Sequence, residues 1–386
     1  MAARQFGWHR RDLRLCPVYY YVARAFLIFT ALTSRPENGE LPAKGHESRK
    51  GNQMKKLLSI ALCLALILGL AACGSSNSGS TTTTTEPTKV KIGILQFAPH
   101  ASLDNCTTGI MQALKDRGYT DDKAEIEFVN GQGEMETNSL AAQSFVNKGY
   151  DIIIAIATPA VMSAYAAAKE QNIPVIFSAV SDPLGAGLVE TLEAPNSGAT
   201  GTSDNLNYSA QLAMIRAFQP DAKTIGILYT TSEANSIKQL SEYEAIAADY
   251  GFEIKSQGVT DASEVASGIA SLVANGIDCL CNLTDNNVVN NFSVVTAATD
   301  PAGIPCYGSE EEQVAQYGCI ASETLDYIAL GYQTGVMAAD VLEGADINTM
   351  AVSIVADSEP VYSSANLAKF GIEVPADYAS ARDMSK

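Results

Sequence analysis

From Lys89 onward, short unbroken apolar runs alternate with longer segments of helical spacing. Val90 to Gln96, Ile126 to Asn130, Ile152 to Ile156 and Val175 to Ser178 predict strands, and Leu103 to Arg117, Glu136 to Lys148 and Ala160 to Gln171 predict the helices between them. A strand that is apolar at consecutive positions is buried on both faces, so this alternation predicts an α/β fold with a parallel sheet covered by helices. The pattern then restarts. Ile92-Gly93-Ile94-Leu95 returns as Ile225-Gly226-Ile227-Leu228, the surroundings of Asp151 return around Asp278, and Ile173-Pro174-Val175 returns as Ile304-Pro305-Cys306. The shared offset, roughly 130 residues, predicts two Rossmann-like lobes built alike. Lobe 1 is expected over 89–203 plus 318–345 and lobe 2 over 204–317 plus 346–386. The helix expected at Asp326 to Glu343, the strand at Val352 to Ala356 and the short helix at Ser363 to Phe370 would cross back to complete the lobes, making a multi-crossing hinge.

Upstream the pattern is different. Met54-Lys55-Lys56 begins an apolar run from Leu57 to Leu68 that ends in Leu70-Ala71-Ala72-Cys73, a lipobox. Basic start, apolar stretch and small residues before a cysteine are the three parts of an exported lipoprotein signal. The run falls short of the roughly 20 apolar residues a membrane span needs. Residues 54–72 are therefore expected to be removed, with acyl chains on Cys73 anchoring the protein to a membrane surface. The Ser/Thr-rich stretch 73–88 would be a flexible linker. A signal of this kind is not read from deep inside a chain, so residues 1–53 are expected to be a mis-annotated extension ahead of the true start.

Composition narrows the function. The 386 residues carry 43 Asp and Glu against 25 Lys and Arg, a formal charge of −18, and residues 1–72 hold an excess of the basic ones. So acidic a domain has no long-range attraction for nucleic acid, and no nucleic-acid partner is expected. Cys279 and Cys281 sit on one face of an apolar strand and are expected to be small core residues; no metal-ligand spacing accompanies them. His100 is the one histidine beyond Cys73, and neither a GxSxG elbow nor a Walker loop is present, so a non-enzymatic role is expected and no cofactor or metal is implied.

In a parallel sheet, ligands bind beyond the carboxyl ends of the strands, where helix N-termini present free N–H groups. The segments there are rich in hydroxyl, amide and carboxylate groups and poor in Lys and Arg: Gln96-Phe97-Ala98-Pro99-His100, Ala157-Thr158-Pro159, Ser181-Asp182, Glu233-Ala234-Asn235-Ser236 and Asp285-Asn286. A zwitterionic amino acid needs carboxylates for its ammonium, for which Asp182, Glu233 and Asp285 are candidates. Its carboxylate needs donors, for which Thr158, Ser236 and the adjoining helix N-termini are candidates. Phe97 and Tyr327 are candidates for an apolar wall. Thr158, Asn235 and Asp285 also fit plain helix N-caps, and Pro159 a first helical position. A sugar or nucleoside binder, and an exported hydrolase or signalling receptor, are the alternatives.

These residues belong to longer motifs. Among them are Ala155-Ile156-Ala157-Thr158-Pro159-Ala160, Phe177-Ser178-Ala179-Val180-Ser181-Asp182-Pro183, Thr200-Gly201-Thr202-Ser203-Asp204, Ser232-Glu233-Ala234-Asn235-Ser236, Thr284-Asp285-Asn286, and Asp326-Tyr327 with Leu330-Gly331-Tyr332-Gln333-Thr334-Gly335. With them the chain, from about Lys89 to Pro375, resembles the substrate-binding lipoproteins of ABC importers in the tryptophan/tyrosine (TrpX-like) family. The resemblance implies a periplasmic-binding-protein type I fold, an amino acid held between the lobes, a separate permease and ATPase as partners, and a monomer. It implies that Gln96, Thr158, Asp182, Asp204, Glu233, Asn235, Ser236 and Asp285 line the cleft, with Phe97, His100, Pro159, Ser181, Asn286 and Tyr327 beside them. Phe97 and Ala98 depart from the residues common after Gln96.

Overall fold

A computed structural model describes residues 89–355 and 358–385. The expected extension 1–53, signal 54–72, linker 73–88 and lipidated Cys73 lie outside the described residues, as does the last residue of the strand expected at Val352 to Ala356. Among the described residues, no helix is long and apolar enough to cross a membrane.

The first lobe alternates strand and helix as its periodicity predicts: β1 (Val90–Gln96), α1 (Ala101–Asp116), β2 (Ala124–Asn130), α2 (Met135–Asn147), β3 (Ile152–Ile156), α3 (Thr158–Ala168), β4 (Val175–Ser178) and β5 (Ala199–Ser203). The second repeats the scheme with α4 (Tyr208–Phe218), β6 (Thr224–Thr230), α5 (Ala234–Ile246), β7 (Glu253–Val259), α6 (Val265–Ala274), β8 (Cys279–Cys281), α7 (Asn286–Asn290), α8 (Phe292–Thr299), β9 (Cys306–Gly308), α9 (Glu311–Ala315) and β10 (Ala321–Thr324). The tail adds α10 (Tyr327–Leu342), β11 (Ser353–Ile354), β12 (Glu359–Tyr362), α11 (Ser364–Phe370) and β13 (Arg382–Asp383). The sheets run β2-β1-β3-β4-β5-β11 and β7-β6-β8-β9-β10-β12-β13. Every pairing is parallel except β10 with β12.

The internal repeat has a physical basis. Asp151 accepts the Lys91 N–H at 2.7 Å, and Asp278 accepts those of Lys223 and Thr224 at 2.7 and 2.8 Å, so each carboxylate secures the start of its lobe's first strand. The Pro174 and Pro305 carbonyls accept the N–H groups of Ile153 and Leu280, both at 3.0 Å. Gly93 and Gly226 leave room for Phe145 and Ile277, whose atoms would lie 2.8 and 2.5 Å from an added Cβ. Cys279 and Cys281 are buried in the second core as expected.

The lobe boundaries need correcting. β10, expected in lobe 1 as part of 318–345, pairs with β9 and β12 in the second sheet. β11, expected in lobe 2 as part of 346–386, pairs with β5 in the first. Periodicity identifies a strand but not its edge. The segment before β11 is drawn to the first lobe by the Thr200 hydroxyl donating to the Met350 carbonyl at 2.7 Å and the Val352 N–H donating to Leu192 at 2.7 Å. Lobe 1 is thus 89–203 plus 327–355, and lobe 2 is 204–325 plus 358–385, with chain crossings after β5, after β10 and between β11 and β12.

Candidate functional site

The carboxyl ends of both sheets face a shared cleft. Its innermost cavity is lined by His100, Leu103, Ala157, Thr158, Ala179 and Ser181 from the first lobe, Asn235, Thr284, Asn286 and Glu310 from the second, and Asp204 and Tyr327 at the crossings. The free volume is about 10 Å³, room for a single water. The lobes therefore stand closed, and direct bonds join them. Ser102 Oγ on α1 lies between Glu310 at 2.8 Å and Glu312 at 2.9 Å, its one proton shared between them, Asn105 donates to Glu312, and Gln239 Nε2 donates to Ser181 Oγ at 3.0 Å.

Two carboxylates reach the cavity wall. Asp204 accepts the Ser181 hydroxyl at 3.0 Å and the Tyr327 phenol at 3.2 Å, and burial raises its pKa against the pull of those bonds. Glu310, just beyond the end of β9, accepts from Ser102 and from Gln313 Nε2 at 3.0 Å; burial pushes it up to about 7. Among the described residues, no Lys or Arg lines this cavity.

Of the seven buried side-chain polar atoms without a hydrogen-bond partner among the described residues, three belong to this wall: His100 Nδ1, Thr158 Oγ1 and Asn235 Oδ1. Orphaned buried groups cost about 1–3 kcal/mol each, so their convergence on one cavity marks a site that a ligand completes. Backbone strain converges there too. Ala157 (φ 73°) and Ala179 (φ 54°) hold positive φ without being glycine. At Ala157 this turn opens α3, with Pro159 in the first turn where its missing N–H costs nothing.

The structure divides the predicted residues. His100, Thr158, Ser181, Asp204, Asn235, Asn286 and Tyr327 line the cavity. Gln96, Phe97, Pro159, Asp182, Glu233, Ser236 and Asp285 do not. Gln96 is wholly buried between β1 and α1, where it donates to Asp104 and the Ala98 carbonyl and accepts from Thr107. Phe97 packs in the first core. Pro159 is a buried first-turn residue of α3, and Ser236 is buried in the first turn of α5. Asp182 sits half-buried at the outer mouth, accepting the Gly185 N–H at 2.9 Å. Asp285 is the N-cap of α7, accepting from the Val288 N–H at 2.9 Å and from both the N–H and hydroxyl of Thr230. Glu233 accepts the Asn286 and Asn287 N–H groups at 3.2 and 3.1 Å and the side-chain amides of Asn286 and Asn235 at 2.6 and 3.2 Å. Burial and the neighbouring Asp285 raise the Glu233 carboxyl well above its usual range, to about 8. Thus Glu233 and Asp285 are taken up by protein donors, whereas Asp182 accepts one N–H and stands at the mouth, outside the innermost cavity. Only Asp285 of the three possible N-caps is one; the caps before α3 and α5 are Ala157 and Glu233.

Glu310 is the residue that sequence reasoning missed. The third repeat match, Ile304-Pro305-Cys306, signals a strand whose end is Gly308-Ser309-Glu310, the same strand-end position that singled out Ser181 and Asp182.

Residues 91–382 match the ABC transporter substrate binding protein family. The chain belongs to that family. It is 39% identical over 277 residues to a tyrosine-binding protein of Clostridioides difficile (strain R20291), covering 72% of this chain and 79% of the relative. Among solved structures, a Streptococcus pneumonia ABC domain in complex with L-Trp is 33% identical, with a TM-score of 0.74 over 76% of this chain and 98% of that one. A ligand-free, open substrate-binding protein with adhesive properties from Clostridium difficile is 36% identical at the same coverages, 76% and 98%, with a TM-score of 0.59. The lower score against the open relative, despite its higher identity, agrees with the bonded, closed lobes described above. The fold is the periplasmic-binding-protein type I arrangement, two parallel-dominated sheets with helices on their faces.

Proposed function

We propose that this protein captures an amino acid with an aromatic side chain, L-tyrosine or L-tryptophan, between its lobes and presents it to the permease and ATPase of an importer. The observation that carries this reading is a buried cavity wall with two carboxylates, no cation and three orphaned polar atoms. Such a wall lacks a positive charge and suits a ligand that brings one. The ammonium fits against Asp204 and Glu310, with Asn235 Oδ1 as a further acceptor. The ligand carboxylate fits the N-terminus of the eleven-residue α3, where Thr158 Oγ1 adds a donor. Leu103 and Tyr327 supply apolar surface. The tyrosine-binding and L-Trp-bound relatives support this ligand class.

With room for one water in the closed cavity, entry requires the lobes to part on their crossings, and the ligand then replaces part of the contact between them. The lipobox at Cys73 supports an extracytoplasmic, lipid-anchored protein, held near its transporter by the linker 73–88. Isothermal calorimetry with the standard amino acids tests the reading. L-Tyrosine or L-tryptophan is expected to bind saturably near the micromolar range, a binding free energy of about 8 kcal/mol. Asp204→Asn is expected to weaken this at least tenfold, equivalent to about 1.4 kcal/mol. A flat response to every amino acid would refute it.

A further inference from the structure

His100 forms one side of the cavity, and its two ring nitrogens are in different situations. Nε2 lies 3.2 Å from Asn286 Oδ1, whereas Nδ1 is buried without a partner among the described residues. The Asn286 amide is oriented from its other end, where Nδ2 donates to Glu233 Oε2 at 2.6 Å. Glu233 Oε2 also accepts the Asn286 N–H and the Asn235 amide, while Oε1 meets only the Asn287 N–H. A proton taken up by this acid therefore belongs on Oε1. Oε2 stays an acceptor in either state, and Asn286 keeps Oδ1 toward the histidine.

An amide oxygen can only accept, so Nε2 carries the ring proton and donates it. Burial holds the imidazole neutral, lowering its pKa against the raising influence of Asp104 and Glu312. The remaining nitrogen, Nδ1, is then a buried lone pair, able to accept and unable to donate. The chain Glu233, Asn286, His100 spans both lobes, so the tautomer is set when the cleft closes.

We propose that His100 Nδ1 receives the hydrogen-bond donor at the far end of the ligand's side chain, a phenol O–H or an indole N–H, so that the site selects tyrosine and tryptophan over phenylalanine. This rests on the proposed function. The ammonium is better matched to the ionisable acceptors Asp204 and Glu310, leaving the neutral imidazole for a neutral donor. A phenylalanine ring would bury Nδ1 unpaired, and a site that hydrogen-bonds a hydroxyl rejects the analogue lacking it. Glu233 and Asn286 become positioning residues, which explains why Glu233 Oε2 is held by three protein donors.

The test is calorimetry with L-tyrosine, L-phenylalanine, L-tryptophan and O-methyl-L-tyrosine on the full chain and on His100→Leu. In the wild type, tyrosine is expected to bind at least about tenfold more tightly than phenylalanine or O-methyltyrosine. In His100→Leu the tyrosine-to-phenylalanine ratio is expected to fall to about one, chiefly through loss of tyrosine affinity. A ratio that persists in the variant, or equal losses for both ligands, overturns the assignment. So does wild-type protein that binds phenylalanine or O-methyltyrosine as tightly as tyrosine, a measurement that needs no variant to fold; the proposed function then stands. Failure of every aromatic amino acid to bind the wild type overturns both.

Discussion

Glu310 shows how far a single buried side chain can couple this protein to pH. Its folded-state carboxyl titrates at about 7 against an ordinary 4.5, because burial outweighs the donors Ser102 and Gln313. The folded protein therefore holds a proton that the unfolded chain has released. The stability this contributes is complete below the ordinary value and is lost as pH rises through about 7. Thermal unfolding followed from acid to neutral pH should show the wild type losing more stability than Glu310→Gln, in which that part of the slope is absent; parallel curves would contradict the assignment. Tyrosine affinity should move the other way in the wild type, rising with pH as the carboxylate forms for the ammonium. Little of this was legible residue by residue. Asp182, Glu233, Asp285 and Glu310 are all carboxylates near strand ends, and they differ in burial and in which protein donors reach them.

Among helices, a very close joint lies between α1 and α10. A Cβ at Gly331 would stand 2.1 Å from the Cys106 carbonyl oxygen, and one at Gly109 would stand 2.1 Å from that of Ile328. At Gly335 it would meet Ala113 and the Ile110 carbonyl, both at 2.7 Å. These glycines let the two backbones approach closely, and α10, which follows a crossing, is thereby fixed to the first lobe. Gly331→Ala puts a methyl group against main chain that cannot rotate away. It should cost about 3 kcal/mol, the upper end for overpacking, read as a lowered urea midpoint with an unchanged slope. Alanine at Gly149, where nothing lies within 4 Å, lacks this clash and pays only for its positive φ of 67°. The motif Leu330 to Gly335 stood out in the sequence, and α10 was expected almost residue for residue. That its glycines serve a helix contact became visible only when α1, more than 200 residues earlier, was packed against it.

For the whole molecule, closure is a balance between ligand and interlobe bonds. Ser102 and Asn105 on α1 hold Glu310 and Glu312 of the opposite lobe. Removing these donors leaves two buried carboxylates underpaired in the closed form alone, so the open form gains relative to it. Ser102→Ala combined with Asn105→Ala should enlarge the radius of gyration of the unliganded protein in small-angle scattering. Saturating tyrosine should restore compactness, with an affinity about tenfold weaker than wild type, the share lost to reopening. An unchanged scattering curve would show that other contacts, such as Gln239 to Ser181, suffice to hold the lobes together.

The sequence by itself determined the first lobe's opening strands and helices, the repeat of that lobe and the strand-end segments where chemistry collects. Each is local or periodic: apolar residues at consecutive or helical spacing choose their element, and Asp151 with Asp278, or Pro174 with Pro305, repeat the same backbone task. Tertiary structure alone decided that β10 and β11 exchange lobes, and which polar groups remain for a ligand. Gln96, Glu233 and Asp285 are used up in holding loops, while Asp204, Glu310, Thr158 and His100 line the cavity. A buried polar group is spent or available according to partners that lie far along the chain, 208 residues away for Ser102 and Glu310. No local pattern encodes that distance.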